Sequence, residues 1–167
     1  YTEDTLLSAM ETAGNDQLLL NITFQAAPPD VWWKGDLTGT GTGLWSASAI
    51  GGNTNWDTDA TSGIDGVVPP DSGSVVHFSA AGAANFATTL GADMTIKKLI
   101  FESGSGTNGV TVGGTDTLTI GSSTVTGSGG LDVAAGGGNI TITSQMALGV
   151  NQSWNIADNT STSSSVR

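Results

Sequence analysis

The chain has 167 residues, of which only 11% are charged, while Gly contributes 25, Thr 24 and Ser 18. That is less than half the roughly 25% charge of an average soluble domain, and four basic against fifteen acidic residues leave a net charge of −11. Such a balance repels phosphate backbones and anionic lipid surfaces and excludes nucleic acid as a partner. With no Cys there is no disulfide, thiolate metal site or thioether-linked haem.

Residues 1–14 carry the one helical pattern. Thr2 suits an N-cap, Glu3 and Asp4 suit the first turn, Gly14 suits a stop, and Leu6, Met10 and Ala13 share a face. So short a helix is marginal alone and must dock or remain a mobile arm. A strand follows, with Leu18, Leu20, Ile22 and Phe24 alternating with Leu19, Asn21, Thr23 and Gln25. Pro28 and Pro29 end it, because neither donates to a ladder. Residues 1–30 are therefore read as an arm.

Residues 31–73 are irregular and aromatic, with Trp32, Trp33, Trp45 and Trp56 set among Gly, Thr, Asn and Asp, and read as a loop-rich cap. From residue 74 to 157, short period-2 strands follow one another: SVVHFS, NFATTL, MTIKKLIFE, GVTVGG, TLTIGS, LDVAA, NITITS, MALGV and QSWNIA. Thr suits such strands through its branched Cβ, and Gly, Asn, Asp and Ser close the turns. Residues 158–167 form a polar tail. No apolar run approaches the roughly 20 residues of a transmembrane helix, and a start at Tyr1 without Met or a basic leader is expected of a processed, exported protein.

The chain thus reads as all-β. Strand spacing alone fits a sandwich and a solenoid equally. Two features favour a parallel β-solenoid. Its inward residues are single aliphatics in small steps, as in Val110 and Val112, Leu118 and Ile120, or Ile140 and Ile142, and the turns GGTD, GSST, GSGG and AAGGG are short and polar.

The order of motifs VWWKG (31–35), GLWSASAIGGNTNWDT (43–58) and VVPPDSGSVVHFSA (67–80) resembles the autotransporter-associated β-strand repeat of bacterial surface passenger proteins. The stretches ATTLGADMTIKKLIFESGS (87–105) and GNITITSQMALGVNQSWNIA (138–157) resemble its later strands, so the likeness spans roughly residues 31–157. It implies a right-handed parallel β-helix serving as an adhesive or scaffolding stalk, with no catalytic motif to carry over. The likeness does not extend to the family's downstream coils or its membrane-anchoring barrel.

For a metal, the candidate is calcium at DTDATSGID, where Asp57, Asp59 and Asp65 offer oxygen ligands. The segment departs from the EF-hand loop at Ser62 and Val68, and a solvated Asx-turn loop is the simpler reading. GGTDTLTI (113–120) grazes the calcium-binding nonapeptide once, and such sites need repetition. His77 lies between Val76 and Phe78 in a strand and reads as a satisfied structural histidine. Polysaccharide cleavage by paired acids would want basic helpers, and Lys97 and Lys98 are the one basic pair. No enzyme activity and no cofactor are expected. Trp32, Trp33, Trp45 and Trp56 admit two readings: stacking on sugar rings as a carbohydrate-binding face, or packing over the open end of the first coil. Sequons stand at Asn21, Asn139 and Asn159.

A solenoid exposes unpaired strand edges and an apolar cross-section at each end. After Trp154 and Ile156 the chain runs into DNTSTSSSVR, which is too polar to cover a coil. The strand carrying Leu18, Leu20, Ile22 and Phe24 is therefore expected either to fold back on its own domain or to add to a neighbouring subunit, the second making a head-to-tail homopolymer. The functional expectation is an extracellular, non-enzymatic structural or adhesive filament, with a carbohydrate-binding surface module as the alternative.

Overall fold

A computed structural model describes residues 26–37, 42–48, 53–61, 68–79, 82–103 and 109–157. The expected helix over 1–14, the strand with Leu18, Leu20, Ile22 and Phe24, and the polar tail lie outside these residues. Among the described residues the protein is all-β. Strands β1 (Asp30–Trp33) and β2 (Trp56–Asp57) precede β3 (Val75–Phe78), β4 (Ala87–Thr89) and β5 (Met94–Ile96). Then come β6 (Lys98–Phe101), β7 (Val110–Gly113) and β8 (Thr117–Ile120), followed by β9 (Leu131–Val133), β10 (Ile140–Ile142), β11 (Gln145–Leu148) and β12 (Trp154–Ile156).

From β3 onward each of three sheets takes every third strand. One is ordered β12-β9-β6-β3-β1-β2, the second β10-β7-β4 and the third β11-β8-β5. All strand pairs are parallel except β1–β2, which is antiparallel. Registers place like over like. Val76 pairs with Leu99 and Leu99 with Leu131, which pairs with Trp154. Phe78 pairs with Phe101, Phe101 with Val133, and Val133 with Ile156. In the other two sheets, Val110 pairs with Ile140 and Ile96 with Ile120, which pairs with Leu148.

The alternation that predicts strands also selects the buried face, since side chains two apart share a face. Thus Leu99 and Phe101, Leu118 and Ile120, and Leu131 and Val133 are fully or almost fully buried. Three segments differ from the sequence reading, and one is Trp56–Asp57, which pairs antiparallel with β1 inside the stretch read as a loop-rich cap. Residues 30–33 form a regular strand paired with β3, because Val31 and Trp33 continue the same inward alternation. MTIKKLIFE is two strands, because its inward residues shift from Met94 and Ile96 to Leu99 and Phe101. That change of phase across Lys97 demands a corner, and the Lys97 backbone there donates to Ser74 O and accepts from Gly129 N.

Corners stack on corners as strands do on strands. Gly121 N donates to Ile96 O, and Gly149 N to Ile120 O. A Cβ on Gly149 would stand 2.0 Å from the Gly121 carbonyl oxygen and 2.9 Å from its carbon, so backbone must move to admit a side chain. Gly149→Ala is therefore expected to destabilise by about 1–3 kcal/mol and to loosen the last strands first. Amide exchange should accelerate over 145–157 while β3 to β6 stay protected; unchanged exchange in 145–157 would contradict the close-approach account.

Candidate functional site

At the β1 side of the stack, Trp33, Trp45 and Trp56 are buried to within 1% exposure. Trp33 and Trp45 each meet Trp56 edge-on, at 5.0 and 5.2 Å between centroids, and Trp33 stacks on Phe78, which stacks on Phe101 at 5.1 Å. Each indole N–H has an acceptor: Trp33 Nε1 donates to Ala84 O, Trp45 Nε1 to Thr88 Oγ1 and Trp56 Nε1 to Trp45 O. Thr88 in turn donates to Thr111 O, which accounts for a polar residue at an inward position. The buried Asn55 ties the loop together, its Nδ2 donating to Leu44 O and its Oδ1 accepting from Leu37 N. These three rings have no free face for a sugar, and the partly exposed Trp32 stacks on His77 at 4.5 Å. The stacking platform imagined for a glycan is thus taken up by internal packing, because Trp33, Trp45 and Trp56 sit on the core side of their segments.

His77 lies on the opposite face of that sheet. Its Nδ1 is 2.6 Å from Glu102 Oε1 and its Nε2 is 3.1 Å from Asp30 Oδ1. A neutral imidazole has one N–H, so both contacts are hydrogen bonds only when the ring carries two protons. With both nitrogens facing carboxylates, neither faces a hydroxyl as a nucleophile triad would require. Nearby, Lys98 Nζ meets Asp132 Oδ2 at 2.5 Å. Sequence alone offered no route to Asp30 and Glu102 as partners of His77, which stand 47 and 25 residues away.

The acidic loop is built from Asx turns. Asp57 Oδ1 accepts from Thr58 N, and Asp59 Oδ1 accepts from both the backbone N and the hydroxyl of Thr61. Asp65 lies outside the described residues, and among those described no group of three or more His, Asp or Glu is placed to hold a metal. Asn139 is exposed; Asn21 and Asn159 lie outside the described residues.

At the other side of the stack β10, β11 and β12 are the outermost strands, with no further strand paired to them among the described residues. The inward Ile140 and Ile142 of β10 stay buried, whereas inward positions of β11 and β12 are uncovered. Leu148, Trp154 and Ile156 are 61%, 42% and 42% exposed, whereas Ile120, Leu131 and Val133, one strand below them, are at most 1% exposed. Trp154 and Ile156 are legible in the sequence as the last apolar pair before a polar tail. Leu148 is not, because MALGV reads as one more strand and nothing local shows that no strand covers it. Comparison of the chain with known proteins finds no matching family model, no similar curated protein and no similar solved structure.

The His77 bridge joins β1 to the end of β6 across β3, so His77→Ala should cost about 1–2 kcal/mol in denaturant unfolding. His77→Phe, which keeps a ring against Trp32, should recover part of that loss. Equal stability of all three proteins would show that the bridge contributes nothing.

Proposed function

We propose that this chain is a right-handed parallel β-solenoid of the autotransporter-repeat kind, working as a non-enzymatic structural or adhesive protein outside the cell. It associates with copies of itself through the uncovered end of its strand stack. The every-third-strand pairing and the parallel registers support the solenoid reading, since a chain winding through three faces returns to each sheet once per turn. A chain rich in hydroxyls and poor in charge, without Cys, supports an exported surface role. The reading calls for no metal and no cofactor.

The observation that carries self-association is the contrast between the two ends. One is sealed by Trp33, Trp45 and Trp56, and by β2 running antiparallel along β1. The other presents three large apolar side chains beside strand edges whose outward N–H and C=O groups have no strand partner among the described residues. Apolar surface next to an unpaired edge is a template for another strand.

Sedimentation velocity of the full chain over a concentration series, with negative-stain imaging, should show assemblies that grow with concentration. Ile156→Asp and Leu148→Asp should each abolish them while shifting the melting temperature by no more than a few degrees, because both side chains are already solvent-exposed. Assemblies that survive both substitutions, or a parent chain that stays monomeric throughout, would reject the reading.

A further inference from the structure

We propose that the strand covering β12 is residues 18–24 of a second copy of the chain, so that assembly is head-to-tail and open-ended. This rests on the self-association reading above and names its partner segment. Whatever covers β12 must continue two rows, one running Leu99, Leu131, Trp154 and the other Phe101, Val133, Ile156. It must therefore bring apolar side chains two residues apart on one strand face, together with backbone able to pair along the edge.

Outside the described residues, one segment has that pattern at sufficient length. Leu18, Leu20, Ile22 and Phe24 alternate over seven residues, and residues 18–24 carry no charge. Burying them therefore entails no ionic desolvation. Residues 158–167 contain Val166 as their one aliphatic side chain and cannot cover Trp154 and Ile156 together.

Reach decides between a chain's own segment and its neighbour's. The carbonyl of Pro28 accepts from Ser74 Oγ at 2.8 Å and that of Pro29 from Val75 N at 2.8 Å, so the arm leaves the fold at the level of β1 and β3. A strand laid on β12 stands four inter-strand spacings beyond β3, about 19 Å at roughly 4.8 Å each. Phe24 is four residues from Pro28 and reaches about 14 Å at full extension. A strand running along β12 keeps Phe24 at that height, so the segment cannot lie there in its own molecule. A neighbour's segment has no such limit. Because donor and acceptor sit at opposite ends of the stack, each addition leaves a fresh acceptor, and the contact propagates as a filament.

The test is complementation between two broken copies. A donor variant, Leu20→Glu with Ile22→Glu, keeps the open end; the acceptor variant Ile156→Asp keeps the arm. Each alone should sediment as a monomer of 16.7 kDa, with the half-assembly concentration raised on the order of a hundredfold or more. Their equimolar mixture should form 1:1 dimers and nothing longer, since the outer ends of each dimer are both broken. Deletion of residues 1–24, which leaves the Pro28 and Pro29 contacts in place, serves as a second donorless form and should complement Ile156→Asp in the same way. Donor variants that assemble like the parent, or mixtures that remain monomeric, would overturn strand donation. A monomeric parent would instead overturn self-association itself, so the two failures are told apart.

Discussion

Parallel pairing in which each inward side chain rests on an apolar one from the strand below is the constraint on which the rest of the structure depends. Backbone hydrogen bonds run from strand to strand through each sheet, and the rows Leu99, Leu131 and Phe101, Val133 show the side chains following the same axis. Because the next strand both pairs the backbone and covers the apolar row, an interior strand is satisfied twice by one neighbour. A terminal strand is deprived twice for the same reason. The exposure of Leu148, Trp154 and Ile156 shows this at β11 and β12, while the inward Ile140 and Ile142 of β10 stay buried.

The two ends meet this problem differently. At the first end the chain devotes three tryptophans, an antiparallel strand and a buried asparagine to closing the stack, and it gives each indole N–H an acceptor, on Ala84, on Thr88 of β4 and on the lid's own Trp45. Large rings suit that task, since each covers more cross-section than an aliphatic side chain and carries its own polar handle to a nearby acceptor. At the last end nothing comparable is present among the described residues. Among the described residues the stack is sealed at one end and uncovered at β11 and β12, a polarity on which the proposed head-to-tail assembly draws.

The outer face of the largest sheet adds lateral stability without enlarging the core. Asp30, His77 and Glu102 link three neighbouring strands, and Lys98 with Asp132 links the next pair. In a chain with so few basic residues, a histidine set between two carboxylates and a lysine beside a third give these acidic side chains polar partners on neighbouring strands. The carboxylates are partly exposed, so these links are modest and screened by salt.

Most strand positions from residue 74 onward and their inward residues were written locally, and so was the corner at Lys97, although MTIKKLIFE reads first as one strand and residues 31–33 as loop. Period-2 alternation and its change of phase between Ile96 and Leu99 involve neighbours in the chain, and local sterics dictate them. The apolar poverty of residues 158–167 could likewise be read directly from composition. Which strand lies on which could not, because hydrogen bonds between residues some two dozen or more positions apart have no local signature. Tertiary structure alone put Trp33, Trp45 and Trp56 inside instead of on a sugar-binding surface, and gave His77 its two carboxylates. It alone also left Leu148 bare, because exposure at the end of a stack depends on what comes after a strand in space, and the order of residues along the chain does not specify that.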